Sequence, residues 1–273
     1  MTETEIAIST RQVRVGLGHV RVRVTGQGEP LVLIMGIGGH LDMWTPLADQ
    51  LPGRQLVMFD FPGTGGSTAP WFPPTMFHGA LFVRLLLSRL GLQQVDIVGY
   101  SWGGLLAQAF AAQHPGKVRK LILACTGPGP ICVPADPRVA ARLLTPRRYY
   151  SSAYLAKIAA QTYGGEFRRQ PGLVRAEAAR RVDHPPGWIG YMWQLIAAGT
   201  FSVIPFAHRI KHPTLVLGGD DDPIVRTANQ YFLHRILSQS EVQVIEKAGH
   251  LMLVDSPSTL APIMETFLSA EEA

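Results

Sequence analysis

The sequence has few cysteines, few charged residues and no long hydrophobic run, and each shortage excludes a class of protein. Its two cysteines, Cys125 and Cys132, form neither a CxxC motif nor a Cys/His cluster, so we expect no disulfide framework and no structural zinc. Charged residues make up 16% of the chain, which is too few for a coiled coil or a long helical array. No apolar run reaches the roughly 18 residues that a membrane span requires, so we expect no transmembrane segment.

The first ten residues, MTETEIAIST, have neither the basic n-region nor the apolar h-region of a Sec signal peptide. Together with the low cysteine content, this predicts a cytoplasmic protein. The chain has 273 residues, of which 47% are hydrophobic, enough for one large α/β domain or two small ones. A chain of this length buries about three quarters of the surface that its unfolded form exposes. The sequence leaves the oligomeric state open.

Positive charge is concentrated in the middle of the chain. The net charge is +5, and residues 131–211 hold 12 lysines and arginines against four acidic residues. Three arginine pairs lie there, at 147–148, 168–169 and 180–181. We interpret them as a solvated helical face, and the alternative is a surface that attracts an anionic partner. No nucleic-acid-binding motif accompanies them, so a nucleic-acid partner is not expected.

Buried strands alternate with helices in both end regions of the chain. Continuous apolar runs predict strands that are buried on both faces, and helical periodicity follows most of them. This alternation predicts the α/β fold class, with a mostly parallel central sheet flanked by helices. The predicted strands are a hairpin within 12–24 and the segments 30–36, 55–60, 95–99, 118–124, 213–219 and 241–245, and the predicted helices are 44–51, 77–90, 102–113, 227–237 and 257–268.

The middle of the chain interrupts this pattern. It follows a Gly-Pro-Gly-Pro linker at 127–130 and contains helical segments but no buried strand pattern. We therefore expect residues 1–129 and 213–273 to form the two parts of one core. Residues 130–212 are expected to form a helical cap inserted at the carboxyl edge of the sheet, where such folds place their sites.

A GxSxG motif, Gly99-Tyr100-Ser101-Trp102-Gly103, lies between a predicted strand and a predicted helix. In that context, a sharp and strained turn holds the serine hydroxyl above the sheet, and small residues beside it avoid clashes. The alternative is a chance Gly/Ser turn. We interpret Ser101 as a catalytic nucleophile.

A serine nucleophile needs a general base, and the base needs a carboxylate to orient it. Of the nine histidines, His250 follows the last predicted strand, which places it at the same sheet edge as Ser101. Three aspartates, 220–222, follow the strand before it. Since the turn must leave the strand before a carboxylate can reach the next loop, we favour Asp222. Asp220 and Asp221 are expected to bond local backbone N–H groups.

Acyl transfer also needs donors for the oxyanion. One is the backbone N–H of Trp102, the residue after the nucleophile. The other is expected from the glycine-rich loop Met35-Gly36-Ile37-Gly38-Gly39, with Ile37 best placed. The alternative is that these glycines only turn the chain. We expect no metal ion in this site.

These features together resemble the α/β-hydrolases. The nucleophile elbow, the glycines after the first buried strand, the loop 60–65 (DFPGTG) and the order Ser, Asp, His along the chain all match that family. Members that are dehalogenases or epoxide hydrolases have an aspartate at the elbow, where this chain has Ser101.

Four further segments are similar to intracellular poly(3-hydroxyalkanoate) depolymerases. That resemblance implies hydrolysis of ester bonds in a storage polyester of 3-hydroxy acids, a serine nucleophile, no cofactor and a cap that faces the storage granule. Two positions depart from the family pattern, Tyr100 in place of a small aliphatic residue and Arg226 in place of the common proline. The matching segments are 145–149 (TPRRY), 162–169 (TYGGEFRR), 190–195 (GYMWQL) and 213–223 (PTLVLGGDDDP).

Ten aromatic residues in the expected cap could line a slot for an aliphatic polyester, although most are expected to pack the cap's own core. We select Tyr100 at the elbow, and Trp188 and Trp193 in the cap, as substrate-binding candidates. Two other functions stay open: a small-molecule carboxylesterase or lactonase with a perhydrolase side activity, and a non-catalytic ligand-binding member of the fold. The ten aromatic residues are Tyr149, Tyr150, Tyr154, Tyr163, Phe167, Trp188, Tyr191, Trp193, Phe201 and Phe206.

Overall fold

A computed structural model describes residues 9–130 and 132–270 of the chain. The expectation of no signal peptide depends on residues 1–10, and most of these lie outside the described residues. Eight strands form one sheet in the order β1-β2-β4-β3-β5-β6-β7-β8. The strands are β1 (Ser9–Val15), β2 (Gly18–Thr25), β3 (Pro30–Ile34), β4 (Gln55–Phe59), β5 (Val95–Tyr100), β6 (Val118–Ala124), β7 (Thr214–Gly219) and β8 (Ser240–Ile245).

The sheet is parallel from β4 to β8, and the β1-β2 hairpin adds to it in antiparallel fashion. This confirms the predicted mostly parallel sheet. The central strands are apolar throughout because both of their faces are covered. Along β3, for example, Val32 and Ile34 belong to one core, whereas Leu31 and Leu33 belong to the other.

Helices pack on both faces of the sheet. α2, α3 and α10 cover the face that includes Val32, and α1, α11 and α12 cover the opposite face. 3-10 helices occur at Leu41–Trp44, Pro115–Lys117 and Ile204–Arg209. The α-helices outside the middle of the chain are α1 (Thr45–Ala48), α2 (Met76–Arg89), α3 (Trp102–Gln113), α10 (Thr227–Ile236), α11 (Met252–Asp255) and α12 (Pro257–Ser269).

The stretch between β6 and β7 is helical, and the residues described there contain no strand. Its division from the rest of the chain at 129/130 and 212/213 stays a prediction. The stretch contacts the loops that follow β3, β7 and β8, since Gly38, Asp221 and His250 all bond to it through backbone or side chain. Its helices are α4 (Pro137–Leu143), α5 (Arg147–Tyr150), α6 (Ser152–Tyr163), α7 (Gly165–Arg169), α8 (Pro171–Asp183) and α9 (Trp188–Gly199).

No helix within the described ranges is long and apolar enough to cross a membrane.

Candidate active site

Ser101 occupies the sharp turn between β5 and α3. Its backbone has φ 53° and ψ −117°, a conformation that L-residues rarely adopt and that tight packing must maintain. A Cβ atom at Gly103 would lie 2.1 Å from the Ile34 carbonyl oxygen, and one at Gly99 would lie 2.7 Å from the Gly103 carbonyl oxygen. The glycines of the motif are thus needed for close packing of the strand and helix, which holds the serine in this turn.

His250 lies between Ser101 and Asp222. Its Nε2 atom is 3.0 Å from Ser101 Oγ, and its Nδ1 atom is 2.8 Å from Asp222 Oδ2. Because a carboxylate accepts hydrogen bonds, Nδ1 donates and Nε2 is left to accept from the serine hydroxyl. The structure therefore brings the three predicted catalytic side chains together in the order that acyl transfer requires.

The two loops that carry Asp222 and His250 are held by further hydrogen bonds. Asp222 Oδ1 accepts from the backbone N–H groups of Ile224 and Val225, at 2.8 and 2.9 Å. The His250 N–H donates to the Tyr163 carbonyl oxygen at 2.7 Å. The Tyr100 hydroxyl donates to the His250 carbonyl oxygen at 2.6 Å. These contacts hold the Asp222 carboxylate and the backbone of His250 in place.

The neighbouring aspartates have other partners. Asp221 Oδ2 accepts from the Gly165 N–H at 2.8 Å, and its other oxygen lies 3.1 Å from Arg168. Asp220 is exposed. The expectation that Asp221 bonds a local N–H was wrong, because its partner is 56 residues away and joins the β7 loop to α7.

The expected oxyanion donors flank Ser101. Among the described residues, neither the Ile37 N–H nor the Trp102 N–H has a hydrogen-bond acceptor. Gln194 of α9 connects the two positions: its Oε1 accepts from the Gly38 N–H at 2.7 Å, and its carbonyl oxygen accepts from Trp102 Nε1 at 2.8 Å. Sequence reasoning missed Gln194, since an isolated glutamine in a helix carries no signal of such a contact.

Two cavities meet at Ser101. One, which we call the small cavity, has a volume of about 40 Å³ and includes His250, Tyr100, Arg148 and Arg181 in its lining. The other, which we call the apolar cavity, has a volume of about 440 Å³. The two cavities share four lining residues, Ile37, Ser101, Leu143 and Ile224. The apolar cavity continues along Trp102, Leu105, Val133, Ala140, Leu195 and Val225.

The three substrate-binding candidates lie in different places. Tyr100 lines the small cavity but is only 3% exposed. Trp188 is 58% exposed at the start of α9 and lines neither cavity. Trp193 also lines neither, and its Nε1 donates to the Pro70 carbonyl oxygen at 3.3 Å. The aromatic residues of the middle segment that do line the small cavity are Tyr149 and Tyr163.

Two arginines that we interpreted as part of a solvated face are buried at the site. Arg148 is 2% exposed and Arg181 is 1% exposed. Arg181 Nε lies 2.7 Å from Glu177 Oε1, and its guanidinium also donates to the Tyr163 hydroxyl at 2.6 Å. The interpretation is therefore wrong for these two residues, whereas Arg147, Arg168 and Arg169 are exposed. The Arg180 side chain lies outside the description.

Cys125 lies close to Asp222 and His250, and potential ligand atoms of the three residues are within 4.8 Å of one another. Burial raises the pKa of the Cys125 thiol well above its usual value. A metal ligand would have to be the thiolate, and the imidazole Nδ1 and the carboxylate already bond each other.

Burial also raises the pKa of the Tyr100 hydroxyl, so this hydroxyl stays protonated and donates to the His250 carbonyl oxygen.

Comparisons with known proteins agree with this architecture. A family model described as the alpha/beta hydrolase fold matches residues 29–257. The chain is 38% identical over 243 residues to a poly(3-hydroxyalkanoate) depolymerase of Ectopseudomonas oleovorans, covering 89% of this chain and 85% of that protein. Solved structures of a hydrolase from Pseudomonas aeruginosa and an enol-lactonase from Burkholderia xenovorans both have a TM-score of 0.82. Their sequences are 21% and 22% identical to this chain, respectively. The matches cover 97% and 95% of this chain and 100% of each solved chain. The predicted fold class is confirmed.

Proposed function

The chain belongs to the α/β-hydrolase family, and we propose that it is a serine ester hydrolase that cleaves poly(3-hydroxyalkanoate) or its 3-hydroxyacyl oligomers. The observation that carries the proposal is the arrangement of Ser101, His250 and Asp222, with distances of 3.0 and 2.8 Å, at the junction of two cavities. Such an arrangement activates a serine hydroxyl, which is otherwise a weak nucleophile.

In the proposed mechanism, Ser101 Oγ attacks the ester carbonyl carbon while His250 Nε2 takes its proton. Asp222 stabilises the imidazolium that results. The backbone N–H groups of Ile37 and Trp102 stabilise the oxyanion of the tetrahedral intermediate. His250 then gives the proton to the leaving alcohol, and an acyl-enzyme remains. Water, activated by His250, releases the acyl group and restores the serine.

The choice of substrate is supported by the depolymerase relative and by the apolar cavity. A 3-hydroxyalkanoate chain is uncharged along its length and carries aliphatic branches, which suit an apolar lining. We propose that residues 130–212 act as a cap over the core formed by 1–129 and 213–273, and that the enzyme requires no cofactor. A cytoplasmic location, on the surface of storage granules, is part of the same proposal.

An exposed apolar surface supports contact with a granule. Trp71 is 86% exposed, and Trp188 and Ile189 are 58% and 59% exposed. The loop that carries Trp71 touches α9, which carries Trp188 and Ile189, since a Cβ at Gly63 would lie 2.7 Å from the Gly190 Cα and Trp193 bonds to the Pro70 carbonyl. Apolar contact of this kind is little affected by salt.

The test measures release of 3-hydroxy acids from amorphous polyester granules of differing side-chain length. We expect release by the wild type, and a loss of about three or more orders of magnitude in Ser101→Ala and His250→Ala. A Ser240→Ala variant is the matched control, because Ser240 starts β8 away from both cavities. Folding of each variant is checked by its melting temperature.

A small-ester hydrolase is the second candidate, and the limited size of the small cavity favours it. A soluble short-chain nitrophenyl ester separates the two candidates. Rapid hydrolysis of that ester with no release from granules supports the small-ester enzyme. Absence of both activities, together with no labelling by a fluorophosphonate, supports a non-catalytic ligand-binding protein.

A further inference from the structure

We infer that the small cavity is a carboxylate subsite in which Arg148 binds the free terminal carboxylate of a 3-hydroxyacyl chain. This rests on the proposed function and specifies it: the enzyme cuts the last ester bond of a chain or oligomer and releases the terminal 3-hydroxy acid. The observations that carry the inference are the state of Arg148, the position of the small cavity and its size.

Arg148 is a buried cation with incomplete hydrogen bonding. One of its terminal nitrogens donates to the Thr145 carbonyl oxygen at 3.2 Å and to the Tyr191 hydroxyl at 2.7 Å. Its Nε atom is buried and has no partner among the described residues. Within the same part of the chain, no carboxylate forms an ion pair with it, whereas Arg181 is paired with Glu177.

No carboxylate among the described residues pairs with Arg148, and the buried Glu177 carboxylate of the same cluster is paired with Arg181. Its guanidinium stacks on the rings of Tyr149 and Tyr191, at 4.8 and 5.3 Å from the ring centroids. Burial raises the pKa of both phenols, so they stay neutral. Cation–π contacts offset part of the desolvation of a buried guanidinium, but a full counter-charge is missing. A carboxylate is the anion that a guanidinium binds with matching geometry.

The small cavity lies on the side of Ser101 from which the leaving alcohol departs. His250 lines the small cavity and does not line the apolar cavity. The leaving alcohol must take its proton from His250, so the departing unit lies on the side of the small cavity. The acyl part of the chain then extends into the apolar cavity, on the other side of Ser101.

The small cavity has about a tenth of the volume of the apolar cavity, which favours a chain end over a continuing polymer on its side of Ser101. About 40 Å³ holds a few water-sized groups, which suits a terminal carboxylate. In a 3-hydroxyacyl chain, that carboxylate is separated from the oxygen of the last ester by only two carbon atoms. The same residue that supplies the leaving alkoxide therefore carries the anion for Arg148.

Bond making and breaking balance without any co-reactant other than water. Ser101 Oγ bonds to the carbonyl carbon of the last ester, and the bond from that carbon to the terminal unit's oxygen breaks. The oxygen takes the proton that His250 removed from Ser101, and the terminal 3-hydroxy acid departs as its carboxylate. Water then hydrolyses the remaining acyl-enzyme.

The experiment compares two soluble substrates, the linear dimer of 3-hydroxybutyrate with a free carboxylate and its methyl ester. We expect the wild-type kcat/KM to be at least about tenfold higher for the free acid, the size of effect typical of one charged hydrogen-bonded contact. Arg148→Gln should reduce this ratio to about one, and Arg148→Lys should restore part of it. Arg147→Gln is the matched control, since its exposed side chain stacks on Tyr154 away from the small cavity, and it should keep the wild-type ratio.

A wild-type ratio near one would overturn the inference, as would equal losses on both substrates in Arg148→Gln. Binding to Ser101→Ala, measured by calorimetry, gives a readout that does not depend on turnover. We expect the free-acid dimer to bind this variant at least about tenfold more tightly than the methyl ester. Equal binding of the two compounds contradicts the subsite. If neither substrate is hydrolysed by the wild type but the free acid still binds selectively, the proposed function fails and the subsite stands.

Discussion

Asp222 and Asp221 are adjacent in the chain but have separate partners, and this makes them a matched pair for mutagenesis. Asp222 bonds His250, whereas Asp221 bonds Gly165 and Arg168. We expect Asp222→Asn to lower kcat for a soluble ester by about three to four orders of magnitude, because an amide favours the wrong imidazole tautomer. Asp221→Asn should lower the melting temperature, because it weakens the contacts to Gly165 and Arg168, and should leave kcat nearly unchanged. A larger loss of kcat in Asp221→Asn would contradict the assignment.

The positions of Ser101, Asp222 and His250 could be predicted from the sequence because each follows a recognisable strand. Residues at the carboxyl ends of neighbouring parallel strands must meet at one edge of the sheet. The burial of Arg148 and Arg181 could not be predicted in this way. Their partners Tyr191 and Tyr163 are 43 and 18 residues away, and arginine in a helix is usually exposed.

At the scale of elements, helix α9 holds the loop that carries the proposed oxyanion donor. Gln194 is buried, and its side chain accepts from the Gly38 N–H. Gln194→Leu keeps the volume of the side chain but leaves the Gly38 N–H without a partner. The loss of that hydrogen bond destabilises the folded protein by about 1–3 kcal/mol. We expect kcat to fall by roughly 10- to 100-fold as the loop loses its fixed position.

Gln161→Leu is the control for this prediction, because Gln161 is exposed on α6 and bonds Arg142 instead. Its kcat should stay within about twofold of the wild type. An unchanged kcat in Gln194→Leu, with a properly folded protein, would show that α9 does not position the loop.

The regular elements were predicted well where burial gives a clear pattern. β6 and α3 have the predicted bounds, and β3, β4, β5 and β7 differ by one or two residues at an end. Short elements were not predicted: α11, over Met252–Asp255, was missed, and the predicted helix 44–51 is limited to Thr45–Ala48 with a 3-10 turn before it. Four-residue helices are set by tertiary contacts rather than by periodicity.

At the scale of the whole molecule, Asp255 links stability to pH. Burial raises the pKa of its carboxyl group to about 6, from an ordinary value of 3.8, and its Oδ2 atom has no partner among the described residues. The folded protein thus favours the protonated form. This contribution to stability is complete below about pH 4 and is lost as the pH rises through about 6.

Asp255→Asn should therefore be more stable than the wild type at pH 8, by about 3 kcal/mol, since the pKa is raised by about two units and one unit corresponds to about 1.4 kcal/mol. The difference should shrink as the pH falls to 4. Urea unfolding at both pH values measures it, and Asp49→Asn, at an exposed position after α1, is the control. A difference that does not change between pH 8 and pH 4 would contradict the prediction.

The central claim is that Ser101 forms an acyl-enzyme with a 3-hydroxyacyl ester. Its most direct test is rapid acid quenching of the protein mixed with a soluble 3-hydroxybutyrate oligomer, followed by peptide mass mapping. We predict a 3-hydroxyacyl adduct on the peptide that contains Ser101, and no adduct in Ser101→Ala or His250→Ala. Hydrolysis that persists in Ser101→Ala, or an adduct on any other residue, would contradict the claim.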